Sequence, residues 1–122
     1  MAQSKIVVLV VEDDPLLRMG IVDHLEDEGF AVLEAANADE AIALLSSNTT
    51  IQVLFTDIDM PGEMNGIRLA AAVRDRWPPI KIIVTSGHKL PFANDLPDGA
   101  QFFAKPYNPD TIATTLRVIA SA

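Results

Sequence analysis

The hydrophobic positions of the chain form short apolar runs that alternate with longer amphipathic segments. Runs rich in β-branched residues predict strands, at residues 6–11, 31–34, 53–56, 81–85 and 101–104. Segments with apolar residues at the three- to four-residue spacing of a helix predict helices, at residues 15–28, 38–46, 66–77, 90–96 and 109–120. We expect the helix at 90–96 to be short or irregular, because Pro91 and Pro97 lie in and beside it.

Two predicted helices begin with clear capping signals. Asp14-Pro15 and Asn108-Pro109 each place a capping side chain before a proline at the first helical position. In the first helix, three apolar residues follow a four-residue spacing, which predicts that they are core residues: Leu17, Ile21 and Leu25.

The alternation of strands and helices predicts an α/β fold with right-handed crossovers. Runs such as IVVLVV and KIIVT have the continuous apolarity of strands that are buried on both faces. The architecture that fits is a flavodoxin-like, doubly wound, five-stranded parallel sheet of order 2-1-3-4-5 in a three-layer sandwich. In such a sheet the residues that follow the strands gather along one edge, where ligands bind.

Composition narrows the function classes further. A chain of 122 residues, 49% hydrophobic and 21% charged, fits one globular domain over residues 1–122. The net charge of -8 and nine scattered Lys and Arg residues argue against direct nucleic-acid binding. The absence of Cys excludes disulfides and thiolate chemistry. Because no apolar run is long enough for membrane insertion and no signal peptide is evident, we expect a cytoplasmic protein.

Polar residues end several of the predicted strands. Glu12 and Asp13 follow the first strand, Asp57 the third and Lys105 the fifth, and Thr85 ends the fourth. In the order 2-1-3-4-5 the first and third strands are neighbours, so Asp13 and Asp57 should face each other. Clustered carboxylates repel unless a cation holds them. The sequence therefore predicts a metal site at this edge.

The ligand types favour a hard cation, since only oxygen donors are clustered. Mg²⁺ is expected, with Mn²⁺ or Ca²⁺ as alternatives. Mg²⁺ commonly joins one or two carboxylates to a phosphate oxygen, which points to phosphoryl chemistry. A carboxylate such as Asp57 is a suitable nucleophile, and Lys105 and Thr85 are suited to binding the transferred group.

The same residues resemble the motifs of one known family over nearly the whole chain. The matching segments are VVEDDP at 10–15, Asp57 followed by Met60-Pro61, Thr85 within IIVTSG, and Lys105-Pro106. The chain resembles the receiver domain of bacterial two-component response regulators, in a stand-alone form with no effector domain in this chain.

The resemblance implies a role for each acidic residue. Asp57 would be the phosphoacceptor, Asp13 a direct Mg²⁺ ligand and Glu12 a ligand acting through water. The backbone carbonyl of Asp59 would complete the protein's share of the metal ligands, and the side chain of Asp59 is expected to face solvent.

The resemblance also implies a phosphoryl-binding pair and a switch. Thr85 and Lys105 would bind the phosphoryl group, and the peptide bond before Pro106 is a candidate cis bond. Thr85 and Phe102 would form the switch that responds to phosphorylation. A plain core role for Phe102 stays open, because Phe103 is adjacent and one of the two rings must point inward.

The resemblance implies a signalling receiver that takes a phosphoryl group from a sensor histidine kinase or phosphotransfer protein and then switches its surface towards a downstream protein partner. It would catalyse only its own phosphorylation and dephosphorylation, so we do not expect a conventional enzyme. One alternative is a phosphatase of the haloacid-dehalogenase type, suggested by the D-x-D form of Asp57 to Asp59. That family carries D-x-D after the first strand, whereas here it follows the third. The other alternative is a receiver-like scaffold without phosphorylation.

Two departures from the family pattern concern the rim of the site. The loop at 62–66 is one residue longer than the common family form. The weak helix at 90–96 should alter the family's usual output surface, which is built from the fourth helix and the fifth strand and helix.

Overall fold

The computed structural model of the protein describes residues 5–60, 64–87 and 96–121. The strands in these ranges are β1 (Val7–Val11), β2 (Ala31–Ala35), β3 (Val53–Asp57), β4 (Lys81–Ser86) and β5 (Gln101–Ala104). The helices in these ranges are α1 (Pro15–Asp27), α2 (Ala38–Ser47), α3 (Gly66–Arg76) and α4 (Pro109–Ala120).

The strands form one parallel sheet of order β2-β1-β3-β4-β5. Alternate residues of β1 point to opposite faces, so that Val8 and Val10 join one core cluster and Leu9 and Val11 the other. The first cluster includes buried residues of α1 and α4, and the second includes buried residues of α2 and α3. The predicted doubly wound, three-layer architecture is therefore confirmed.

The element boundaries differ from the predicted ones by a residue at several ends. β3 and β4 each run one residue further than predicted, because Asp57 still pairs with Thr85 and Ser86 with Ala104. Of the helix predicted at 90–96, residues 90–95 lie outside the described residues, as do residues 62 and 63 of the longer loop. None of the helices in the described ranges has the length and continuous apolarity needed to cross a bilayer.

The first helix buries less of its predicted apolar face than its spacing indicates. Ile21 and Leu25 are buried as predicted, but the prediction that Leu17 is a core residue is wrong, since 46% of it is exposed. Leu17 lies in the first turn, after the sheet residues of β1 have ended, and it lines an open cleft with Leu16 and Tyr107. The later turns of α1 cover the sheet, and the first turn extends past it.

Candidate functional site

The predicted polar residues meet at the edge formed by the carboxyl ends of the strands. Residues that directly follow β1 and β5 lie beside the last residue of β3, as the parallel order requires. The structure brings Glu12, Asp57 and Lys105 into direct contact and places Asp13 next to them. Four of the residues predicted from separate parts of the chain thus share one site.

Asp57 is the last residue of β3 and is almost fully buried, with 3% of the residue exposed. The backbone N–H of Asp59 donates to Asp57 Oδ1 at 3.2 Å. The first residue of α3, Gly66, packs directly on the Asp57 backbone and donates its N–H to the carbonyl of Ile58 at 3.0 Å. The Asp57 carboxylate is therefore held by its own strand, by the following turn and by the start of α3.

Glu12 follows β1 and is also buried, whereas Asp13 is exposed. The backbone N–H of Asp14 donates to Glu12 Oε2 at 3.1 Å. Asp14 then caps α1, since its Oδ1 accepts from the N–H of Leu16 at 2.9 Å. The same short turn therefore fixes the Glu12 carboxylate and starts the helix.

Lys105 follows β5 and connects the two buried acids. Its Nζ lies 2.8 Å from Glu12 Oε1 and 3.2 Å from Asp57 Oδ2. Its backbone N–H donates to the carbonyl of Ser86 at 2.8 Å, which extends the β4–β5 pairing by one step. The peptide bond between Lys105 and Pro106 is cis, as the resemblance implied.

The buried charges change the acidity of the site. Burial raises the pKa of both Glu12 and Asp57, and the hydrogen bond and charge of Lys105 only partly oppose that effect. Burial lowers the pKa of Lys105, but its hydrogen bond to Glu12 and the charge of Asp57 outweigh burial and raise it. Burial also raises the pKa of the nearby Tyr107 to about 12. Two buried carboxyl groups thus share the single ammonium of Lys105.

The acidic residues fit a hard divalent cation. Glu12, Asp13 and Asp57 each offer a carboxylate oxygen, and these oxygens all lie within 4.8 Å of one another. Oxygen donors with surplus negative charge are the environment that Mg²⁺ favours, and the exposure of Asp13 leaves room for the waters that Mg²⁺ retains.

Thr85 and Phe102 occupy neighbouring strands next to the acids. Thr85 is buried and lies directly opposite Asp57 in the β3–β4 register. Phe102 pairs with Val84 and packs, partly buried, against the core that α2 and α3 cover, whereas Phe103 packs against the opposite core. The two adjacent rings therefore point to opposite faces of the sheet, and Phe102 lies on the α3 side.

One contact of the site was missed by the sequence analysis. The Asp59 side chain is exposed, as expected, but its Oδ2 also accepts a hydrogen bond from the Oγ of buried Ser86 at 2.7 Å. Ser86 follows Thr85 at the end of β4. Its polar side chain was the only feature of the sequence that could have indicated this hydrogen bond. This contact ties the turn after β3 to the end of β4.

Comparisons with known proteins identify a single family. The family model for the response regulator receiver domain matches residues 8–117. The chain is 36% identical over 117 residues to the chemotaxis protein CheY1 of Helicobacter pylori, covering 91% of this chain and 94% of that protein. It is 37% identical over 114 residues to the sensor kinase CckA of Brucella abortus, covering 90% of this chain and 12% of that kinase.

Solved structures agree with the sequence matches. A response regulator receiver protein from Sinorhizobium medicae has the same fold, with a TM-score of 0.91, 24% identity and coverage of 99% of this chain and 98% of that one. The receiver domain of the hybrid histidine kinase CckA has a TM-score of 0.77 at 29% identity, covering 92% of this chain and 96% of that one.

The relatives differ in length from this chain. The chain spans 12% of the CckA kinase, 25% of a putative NtrX-like response regulator of Rickettsia felis and 26% of the hydrogenase regulator HoxA of Cupriavidus necator. The family match covers nearly the whole chain in each comparison. The chain therefore belongs to the response regulator receiver domain family, the phosphorylation-activated signalling domains of two-component systems.

Proposed function

We propose that the chain receives a phosphoryl group on Asp57 from the phosphohistidine of a sensor histidine kinase or phosphotransfer protein. The observation that carries this proposal is the position of Lys105, whose Nζ lies 3.2 Å from Asp57 Oδ2 and 2.8 Å from Glu12 Oε1. A fixed ammonium beside a buried carboxylate is suited to neutralise the oxygens of a phosphoryl group as it arrives.

The transfer is a displacement at phosphorus. A carboxylate oxygen of Asp57 forms the new O–P bond while the N–P bond of the donor phosphohistidine breaks. The electron pair of that bond goes to the imidazole nitrogen, which then takes a proton from water. In the second step of the cycle, water attacks the phosphorus and the O–P bond to Asp57 breaks, which releases phosphate and restores the carboxylate.

Four groups of the chain are suited to hold Mg²⁺ during this transfer. They are the carboxylates of Asp13, Asp57 and Glu12, the last through water, and the backbone carbonyl of Asp59; Mn²⁺ suits the same donors. When bound, the ion supplies positive charge that offsets the clustered carboxylates and the phosphoryl oxygens. The residues of the chain orient the nucleophile: the N–H of Asp59 holds Asp57 Oδ1, and Lys105 contacts Oδ2.

The signal passes from Asp57 to the neighbouring strands. Thr85 lies opposite Asp57, so its hydroxyl is placed to bond a phosphoryl oxygen together with Lys105. Phe102, on the neighbouring strand β5, pairs with Val84, the residue before Thr85, and is only partly buried, so movement of Thr85 could be passed on to it. Receiver domains interact with histidine kinases and downstream effectors. We infer that this pair of strands presents the switched surface to a downstream protein.

The chain catalyses only the addition and the removal of the phosphoryl group on its own Asp57. Asp57 is both the nucleophile and the site of the product, so the protein accumulates an adduct and then loses it slowly. This separates the proposal from a phosphatase, which would release phosphate from an external substrate without accumulating an adduct.

Intact mass spectrometry tests the proposal. The purified chain is incubated with acetyl phosphate and Mg²⁺, and one added phosphoryl group is expected. Asp57→Asn should show no adduct, because its amide is a poor nucleophile. Asp59→Asn is the matched control, since it removes the neighbouring carboxylate of the same turn and leaves Asp57 in place. A sample treated with a chelator shows whether the adduct requires the metal.

The outcomes separate the alternatives. An adduct that needs Mg²⁺ and Asp57 supports the receiver function. Mg²⁺ binding without an adduct from acetyl phosphate or a phosphohistidine protein supports the scaffold. Steady phosphate release without an adduct supports the phosphatase, and an adduct that survives in Asp57→Asn contradicts the assignment of Asp57.

A further inference from the structure

Arg18 lies one turn into α1 and connects three segments around the acidic site. Its Nη1 donates to the backbone carbonyl of Glu12 at 2.7 Å, and its Nε donates to Glu34 Oε1 at 3.1 Å. The Arg18 side chain is only 20% exposed, although that of Glu34 is 53% exposed. The guanidinium therefore joins α1 to the residue after β1 and to β2.

Glu12 directly follows β1, and its side chain belongs to the acidic cluster, so the bond from Arg18 acts at the point where the strand meets the site. The two carboxylate oxygens of Glu12 already accept from Lys105 and from the N–H of Asp14. The Glu12 N–H donates to Ala35 at the end of β2 at 3.1 Å. Arg18 completes these contacts by fixing the Glu12 carbonyl, and it does so without occupying a carboxylate oxygen.

The direction of the adjoining peptide follows from this bond. A fixed Glu12 carbonyl sets the plane of the Glu12–Asp13 peptide, and that plane determines where the Asp13 side chain begins. Asp13 is exposed, and none of the hydrogen bonds found among the described residues orients its carboxylate. The Arg18 bond is therefore the contact best placed to keep Asp13 directed at Asp57.

We propose that Arg18 is a positioning residue for the divalent-cation site, acting through the Glu12 carbonyl to hold the Asp13 and Glu12 carboxylates where they converge on Asp57. This inference rests on the proposed function, because it needs the acidic cluster to bind Mg²⁺. Arg18 acts by fixing the position of the Glu12 carbonyl. The rigid guanidinium bonds this carbonyl and Glu34 at the same time, in a geometry that a single ammonium group does not reproduce.

Loss of Arg18 should change Mg²⁺ affinity in opposite directions according to whether the residue acts through its charge or as a positioning contact, which makes the proposal testable. A positive charge near a cation site repels the cation, so loss of that charge should tighten Mg²⁺ binding. Loss of a positioning contact should weaken it, and residues that orient metal ligands typically contribute 10- to 100-fold in affinity. The sign of the change therefore distinguishes positioning from simple charge.

The experiment is a calorimetric Mg²⁺ titration of the folded, unphosphorylated chain and its variants. We expect Arg18→Gln to weaken Mg²⁺ binding about tenfold, although a positive charge has been removed. Arg18→Lys should also bind more weakly than the wild type, since its charge is kept but only one of the two contacts can form. Glu34→Gln should have a smaller effect, because the bond from Arg18 to the Glu12 carbonyl remains.

Arg117→Gln is the matched control. Arg117 on α4 donates to the backbone carbonyl of Glu28 at 2.9 Å and lies 3.4 Å from Glu28 Oε1, so it makes the same kind of bridge away from the site. We expect this variant to bind Mg²⁺ like the wild type, even if its thermal stability falls as much as that of Arg18→Gln. Thermal unfolding without metal measures the structural effect of each variant separately.

The results also separate this inference from the proposed function. Unchanged or tighter Mg²⁺ binding by Arg18→Gln, with Arg18→Lys equal to the wild type, would overturn the positioning role while the receiver function stands. Failure of the wild type to bind Mg²⁺ would instead remove the metal site on which both depend. If Arg18→Gln does not fold, Arg18→Lys gives the deciding comparison, because wild-type affinity in that variant contradicts the proposal.

Discussion

Asp57 is the residue at which function and stability are opposed. It is 3% exposed, and burial raises its pKa even though Lys105 Nζ lies 3.2 Å away. Without a cation, the ionised form is less favourable in the folded protein than in the unfolded chain. We expect Asp57→Asn to raise the free energy of unfolding of the metal-free protein by on the order of 1 kcal/mol, measured by urea denaturation with a chelator present.

The stability difference between Asp57→Asn and the wild type should depend on pH, and its direction follows from the raised pKa of Asp57. A carboxyl group with a raised folded pKa contributes its full stability below its ordinary pKa of 3.8 and loses it as the pH rises through the folded pKa. Asparagine stays neutral throughout. The stability gain of Asp57→Asn should therefore grow from about pH 4 towards neutral pH.

Asp39→Asn is the control for net charge. Asp39 is exposed in the first turn of α2, and its substitution removes one negative charge, as Asp57→Asn does. Asp39→Asn should change the free energy of unfolding by no more than about 0.5 kcal/mol. It should not stabilise the protein, because a carboxylate near a helix N-terminus stabilises the helix. An equal gain in both variants would show that net charge, and not the burial of Asp57, sets the result.

At the scale of elements, the contact between α3 and β3 places the nucleophile. A Cβ on Gly66 would overlap the carbonyl oxygen of Asp57 and lie 2.7 Å from the Cα of Ile58, both of them backbone atoms. Backbone cannot move aside as the end of a flexible side chain can. We expect Gly66→Ala to lower the free energy of unfolding by about 2–3 kcal/mol and to slow phosphorylation, because relief of the overlap must displace Asp57 or α3.

Gly20→Ala gives the comparison within a helix. Gly20 lies in α1, where an added Cβ would meet nothing within 4 Å. Alanine should stabilise the helix there by about 0.5–1 kcal/mol. Urea denaturation of both variants separates the steric effect from the helix propensity of alanine, and an equal change at the two positions would contradict the role given to Gly66.

The elements also show how far the sequence could predict this structure. The strands were predicted within a residue or two because their apolar runs are buried on both faces, and their order followed from the alternation with helices. The parallel order then sufficed to bring Asp57 near Glu12 and Lys105. The strand positions depended on the hydrophobic pattern, and the meeting of the site residues depended on strand order and backbone direction.

The contacts that the sequence could not predict depend on where individual side chains end. Helical spacing placed Leu17 in the core, but spacing does not show where a helix extends past the sheet. The bonds from Ser86 to Asp59 and from Arg18 to the Glu12 carbonyl join residues 27 and 6 positions apart in the chain. Such bonds follow from tertiary placement, because neither residue type specifies its partner.

For the whole molecule, the clustered negative charge stabilises the folded state only when a cation is bound. The net charge is -8, and two acids of the cluster are buried beside a single ammonium. A ligand that binds only the folded state stabilises it according to its concentration relative to its dissociation constant. We expect Mg²⁺ at about 100 times that constant to raise the free energy of unfolding by about 2.7 kcal/mol, measured by urea denaturation at constant ionic strength.

A comparison with Asp57→Asn separates specific binding from screening of the acidic surface. Screening acts on every exposed charge and depends on ionic strength, so it should be alike in both proteins and be reproduced by a sodium salt. Specific binding needs the Asp57 carboxylate, so the variant should lose most of the Mg²⁺ effect. The variant, more stable without metal, should therefore become the less stable protein at saturating Mg²⁺. If the order of stability does not reverse, the buried carboxylate is not held for the cation, and its burial needs another cause.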